Sequence, residues 1–381
     1  MTASPSVAPG GGSVACKGRN QVIDGLRGIS VSLVIIGHLI GFRLGQPAWL
    51  PDRAYFVIAD LGALGVSLFF AISGYLITTL LLAEERRNGR VSVKAFYTRR
   101  IFRIMPPFYL FVLVILVLGQ VGLIDVRPSS ALRSAAFTCN IAGFSCSWWL
   151  AHTWSLAVEE QFYLTWPLLF VLLSSHRLAI AAATFVLVSL AAFAVPALHG
   201  FPAILFGVVV ALSPGLQTAF ARVPTAAILV AAAALLATPL KAQILSPLQP
   251  VLIAIVLFGT LFGKSTGWLQ RGVQQPLWVK IGLVSYSLYL WQQLSLAPIV
   301  WNGTITGADH LYAWLGWSSF LLFIPLALLS YFFIEKPMIR IGHRLSGQMI
   351  ERGMTQSPTD DLPSSRPSAA ELAVTKAGAE R

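Results

Sequence analysis

The sequence predicts an all-α fold: a polytopic integral membrane protein of about ten transmembrane helices with both termini in the cytoplasm. Three observations carry that prediction. Only 11% of the 381 residues are charged, 56% are hydrophobic, and the mean hydropathy is +0.73. A soluble domain carries about 25% charged residues, so a water-facing surface cannot be covered and a soluble globular enzyme is excluded. Apolar runs of the roughly 20 residues needed for one crossing recur along the chain. Finally, the net charge of +12 collects in alternate loops. That is the signature of cytoplasmic loops rather than of a nucleic-acid surface, and no nucleic-acid partner is expected.

Residues 1–20 are rich in Pro, Gly and Ser, lack an apolar signal region, and read as a disordered cytoplasmic N-terminus. A membrane domain follows over 21–344. Its expected crossings are 22–43, 55–83, 105–124, 154–174, 178–198, 200–220, 224–242, 247–263, 280–300 and 313–335. Pro106-Pro107 mark the start of the third, and Pro196 and Pro202 bound the fifth and sixth. The Ser/Pro-rich stretch 345–381 reads as a disordered cytoplasmic tail.

Counting basic residues sets the orientation. With the N-terminus inside, 21 Lys and Arg face the cytoplasm, seven of them between Arg86 and Arg103, against five outside. The loop at 84–104 decides the matter. Cys139 and Cys146 then fall in an outside loop, where oxidation is permitted. The alternatives there are a disulfide closing the loop and two free thiols. Three cysteines make no metal framework, and no metal is expected.

Ionisable groups within membrane spans are costly and mark functional sites by default. The first helix carries Asp24, Arg27 and His38; Asp60 lies in the second, Glu159 and Glu160 in the fourth, and Glu335 ends the last. Eleven residues separate Arg27 from His38, which puts both side chains on one helix face about 16 Å apart along the axis. Arg27 alone also fits a snorkelling residue paired with Asp24. Measured from an outer end at Trp154, Glu160 lies roughly 9 Å deep, and His38 lies roughly 7 Å deep in its own helix. The equal depths predict a histidine base oriented by a carboxylate. Adjacent residues point about 100° apart, so Glu159 and Glu160 remain alternatives; a pair that merely fixes packing is the bland option. Arg100 and Arg103, one turn apart at the cytoplasmic surface, suit phosphates, as they also suit lipid headgroups. Glu335 is a partner for one of these arginines. Together, a basic cytoplasmic mouth and a histidine in the outer half fit a long anionic donor such as acyl-CoA.

Several stretches resemble membrane acyltransferase family 3. They are Ile23-Asp24-Gly25-Leu26-Arg27-Gly28 with Gly37-His38, Phe69 to Ile77 around Ser73, and Arg99 to Pro107. The most specific is His152-Thr153-Trp154-Ser155-Leu156-Ala157-Val158-Glu159-Glu160-Gln161-Phe162-Tyr163; Ser285 to Trp291 and Phe333-Ile334-Glu335-Lys336-Pro337 follow. The resemblance runs from about residue 20 to 345. It implies a ten-helix enzyme of the bacterial inner membrane that moves an acyl group, often acetyl, from cytoplasmic acyl-CoA to a sugar hydroxyl. The implied partners are acyl-CoA, a sugar-bearing acceptor, membrane lipids and polysaccharide-assembly proteins, with no bound cofactor. Family weight falls on the Arg-then-ten-then-His pattern, met by Arg27 and His38, and on Arg-x-x-Arg, met by Arg100 and Arg103. Asp24, Ser73, Trp154 and Glu335 are the expected supporting residues. Members often carry His after Ser-Tyr-Ser-Leu-Tyr-Leu-Trp, where this chain has Gln292. O-acylation of a macrolide or other secondary metabolite is the alternative within the enzyme class. Outside it stand a flippase for a lipid-linked sugar and a silent assembly scaffold.

Overall fold

The computed structural model describes residues 20–141, 146–237, 248–264, 266–298, 300–301 and 304–355. Helix α1 (Gln21–His38) starts at Asn20, whose side chain accepts from the Val22 and Ile23 amides at 3.0 and 3.4 Å. That is the usual way of satisfying orphan donors at a helix start. Immediately after His38 the backbone widens into a π-helical segment, Leu39–Leu44. Helix α2 (Asp52–Asn88) ends at Gly89 in the left-handed conformation, which only glycine adopts at no steric cost. Its 37 residues span about 55 Å, so it extends well past a hydrocarbon core about 30 Å thick.

Helix α3 (Val93–Gln120) is capped by Ser92 and carries Pro106 and Pro107 in its interior. The two prolines therefore do not mark its start, contrary to the expectation from sequence. Membrane helices tolerate proline inside a packed bundle; one turn away, the Tyr286 hydroxyl donates to the Ile104 carbonyl at 3.0 Å and ties this part of α3 to its neighbour. Two short helices, α4 (Pro128–Ala135) and α5 (Trp148–Ala151), precede α6 (Thr153–Leu172). Then come α7 (Arg177–Ala191), α8 (Phe201–Leu212), α9 (Pro214–Ala221), α10 (Thr225–Ala237) and α11 (Gln249–Phe262).

The expected crossing at 280–300 is broken at Val284, between α13 (Pro276–Leu283), which follows α12 (Gly267–Val273), and α14 (Ser285–Ser295). A two-residue antiparallel ladder, Val300–Trp301 with Thr304–Ile305, is the one strand pairing among the described residues. The crossing at 313–335 is composite. It joins α15 (Ala308–Leu315), a 3-10 turn, α16 (Phe323–Leu329) and a π-helical segment Ser330–Glu335, and runs on into α17 (Lys336–Thr355). Helix thus continues ten residues beyond the tail boundary expected at Leu345.

By length and composition, four helical stretches among the described residues are able to cross a membrane: Gln21–Leu44, Asp52–Asn88, Val93–Gln120 and Ser319–Glu351. There are six if two sharply bent pairs, Pro196–Leu212 with Pro214–Ala221 and Gln249–Phe262 with Gly267–Val273, each count as one. The remaining expected crossings fall on helices that are shorter, broken or, in α6, diluted by two glutamates.

Glycines bring the long helices into backbone contact. A side chain at Gly28 would collide with the Trp278 carbonyl of α13, and one at Gly74 with the Ile204 carbonyl of α8. Lipid supplies no hydrophobic drive for helix pairing, so small residues that permit close approach take over that role. Gly74→Leu is expected to push α2 and α8 apart and cost at least ~1–3 kcal/mol. A melting profile of the detergent-purified variant indistinguishable from the parent would contradict this packing. The main core closes around Phe70, Phe108, Phe111, Trp149 and Phe170, none more than 2% exposed.

Candidate active site

The arginines of the basic 84–104 loop have different tasks. Arg99 pairs with Glu84 at 2.9 Å, and Glu84 also accepts the Ser92 amide, which fixes the turn between α2 and α3. Arg177 grips Glu85 with two hydrogen bonds of 2.7 and 2.8 Å and lies over the Phe170 ring. Arg100 and Arg103 instead turn inward. Together with Arg27 they line a cavity of about 180 Å³ between α1, α2, α3, α6 and α14. Arg27 donates to the Ser285 hydroxyl at 3.1 Å, and the Arg100 guanidinium lies 5.1 Å from the Tyr163 ring centre.

Both glutamates line the same cavity. Ser73 donates to Glu159 at 2.7 Å, and the Tyr163 hydroxyl donates to Ser73 at 3.2 Å. Arg27 and Arg100 are close enough to Glu159 to interact with it electrostatically, as Arg100 is to Glu160. Glu335, 1% exposed, accepts from Ser287 at 2.8 Å and feels the charge of Arg27. Asp24 is buried in the first turn of α1 beside Arg27. Trp154 lies edge-on against Phe70, at 5.9 Å, in the packing around the site.

His38 stands elsewhere. Its ring packs against Phe42 at 5.5 Å and Trp148 at 5.8 Å, and faces Gly62 of α2. Gln292 lies beside it, and His152 is near enough to interact with it. Among the described residues no hydrogen bond or ion pair joins His38 to Glu159 or Glu160, so the predicted histidine–carboxylate pair is not formed. The reason is the segment ahead of α6. Trp148 and Trp149 are pinned inside the fold by the Gln293 and Thr306 carbonyls at 3.1 and 3.0 Å, and His152 and Thr153 are buried. The N-terminal end of α6 therefore lies inside the fold. His152 occupies the neighbourhood of His38, and Glu160 lies eight residues, about 12 Å, further along α6.

The cavity and His38 are nevertheless neighbours. Val66 lines the cavity and Gly62 touches His38, one turn of α2, or about 6 Å, apart. Tyr289 links the cavity to His152. It lines the cavity, shares a 2.6 Å hydrogen bond with Ser155, donates to the His152 carbonyl at 3.1 Å, and packs on the His152 ring at 5.5 Å. His152, Ser155, Tyr163, Ser285 and Tyr289 have no role from charge spacing alone, although all fall within the family-like stretches.

Cys139 and Cys146 are joined in a disulfide with Cα atoms 6.1 Å apart. It closes the loop that leads into α5. Cys139→Ser is expected to lower stability by ~2 kcal/mol and to free one thiol for maleimide. Equal melting temperatures of parent and variant would contradict a structural role for the bridge.

Long apolar helices around an interior cavity lined by three arginines and two glutamates define an integral membrane protein. The chain belongs to the acyltransferase family whose model, described as an acyltransferase domain, matches residues 20–335. Over 167 residues it is 34% identical to "Putative O-acetyltransferase SACOL0978" of Staphylococcus aureus strain COL, covering 40% of this chain and 24% of that protein. Over 171 residues it is 32% identical to O-acetyltransferase OatA of S. aureus strain NCTC 8325 / PS 47, covering 41% and 25%. The match spans about a quarter of the length of these curated relatives. No solved structure matches the chain.

Proposed function

We propose that the protein is an O-acyltransferase of the bacterial inner membrane, moving an acyl group, acetyl in the first instance, from cytoplasmic acyl-CoA to a sugar hydroxyl of a surface polysaccharide or glycolipid. In this proposal the chain crosses the membrane about ten times, with both termini inside. The supporting observation is the convergence of Arg27, Arg100 and Arg103 on one cavity. Guanidinium groups bind phosphate through paired hydrogen bonds, and a dry interior strengthens them. The cavity volume is below the ~300–1,000 Å³ of pockets that enclose a drug-sized ligand. Only the acyl-bearing arm of the donor would therefore enter, its phosphates held at the arginine end.

Glu159 and Glu160 then balance the arginines rather than orient the base. Glu159, held by Ser73, keeps Arg27 and Arg100 turned into the cavity. His38 acts as general base. It takes the proton of the acceptor hydroxyl as the oxygen attacks the thioester carbonyl, and returns it to the departing CoA thiolate, so that ester and free CoA are the products. The direct test is thiol release from acetyl-CoA by the full chain in nanodiscs, followed with a chromogenic disulfide. The expected result is acceptor-stimulated release in the parent protein. Transport of a lipid-linked sugar with no consumption of acyl-CoA would contradict the proposal.

A further inference from the structure

We propose that His152 and Gln292, together with His38, form the binding site for the acceptor hydroxyl, a site for a neutral polyhydroxylic ligand distinct from the anion-fitting cavity below it. This rests on the acyltransferase function proposed above. His152 is 3% exposed and Gln292 is fully buried. Yet neither imidazole nitrogen of His152, neither polar atom of the Gln292 amide, nor Nδ1 of His38 has a protein hydrogen-bond partner. The Leu290 backbone lies near His152, and Gln292 lies near His38, but neither approach meets hydrogen-bond geometry.

Buried polar atoms in folded proteins are almost always partnered, and five such atoms at one place point to a ligand or its stand-in water. Their chemistry selects the ligand class. Neutral imidazole and primary amide each offer both a donor and an acceptor, the complement of a hydroxyl, which is also both. No arginine or lysine belongs to the cluster, so an anion has nothing to bind there. The walls are aromatic. Trp148 and Phe42 meet at 4.8 Å beside His38, and Phe111 and Tyr289 flank His152 at 5.4 and 5.5 Å. A mostly apolar site with a few convergent polar groups is the composition of small-molecule pockets. Tyr289 borders both this cluster and the cavity, so the acceptor hydroxyl and the acyl-bearing arm of the donor would meet beside it.

Two readouts test the assignment on the full chain in nanodiscs. In a cryo-EM map fine enough to show ordered water, density is expected within hydrogen-bond reach of His152, Gln292 and His38 Nδ1. A dry cluster whose polar atoms pair with the backbone would overturn the proposal, whatever the enzyme assay gives. In cells, His152→Phe and Gln292→Leu are each expected to lower O-acyl ester on envelope glycans by about tenfold or more, because a site built for a hydroxyl is then left with unmatched polar groups. Acetyl-CoA is expected to raise the Tm of both variants as much as the parent's, which would verify folding and an intact cavity. His152→Gln, which keeps a donor and an acceptor, should recover part of the ester. Parental ester levels in the Phe and Leu variants would overturn the proposal. If the parent itself made no ester and acetyl-CoA moved no Tm, the acyltransferase function would fail, and the density would decide the hydroxyl site alone.

Discussion

Replacing His38 with alanine is expected to slow acyl transfer by about 10²–10⁴-fold, the usual contribution of a positioned general base. Donor binding should be nearly unchanged, because His38 is not among the residues lining the arginine cavity. The relevant comparison is the rate of acceptor-stimulated thiol release against the acetyl-CoA concentration at half-saturation, parent and variant side by side in nanodiscs. A fall in rate at constant half-saturation is the expected pattern. A variant that kept the full rate would move the chemistry away from His38. One whose half-saturation rose in proportion would make the residue part of the donor site instead.

Arg27→Ala is the second large effect, and its signature is the opposite. The guanidinium is held by Ser285 at 3.1 Å and points into the cavity with Arg100 and Arg103. Hydrogen bonds to a charged group are worth about 1.5–3 kcal/mol, which corresponds to a roughly 10- to 100-fold weaker affinity for acyl-CoA. Arg27→Lys keeps the charge but loses the planar fork, so it should fall between alanine and the parent. Equilibrium binding of radiolabelled acetyl-CoA to purified protein separates the three. Unchanged affinity in the alanine variant would remove Arg27 from the donor site.

Much of this was legible in the sequence. The scarcity of charge and the apolar runs give a helical membrane protein, and the first three long helices lie close to where the runs put them. The grouping of Arg100 and Arg103 on one helix face was legible from their three-residue spacing; that they line a cavity with Arg27 inside the helices, rather than a mouth at the surface, was not. The position of the glutamates was not. A depth argument assumes that a helix begins at the water interface, and α6 begins inside the protein behind the buried segment Trp148–Thr153. Eight residues of error followed, enough to put Glu160 where His152 and Gln292 actually are. The prolines of α3 misled for a related reason: in water they would end a helix, whereas packed membrane helices supply the missing partners. Apolar runs likewise do not reveal where a segment breaks, as at Val284 between α13 and α14, or where two short helices fold back at nearly a right angle.

The most direct test of the central claim is mass spectrometry of O-acyl esters on envelope glycans from cells expressing the parent protein, His38→Ala, or neither. Acyl esters present with the parent and missing from the other two samples are the predicted result. Equal ester from the parent and His38→Ala would contradict the assignment of the chemistry to His38. Ester absent from all three, with the parent protein present and folded in the membrane, would contradict acyl transfer to a surface glycan altogether.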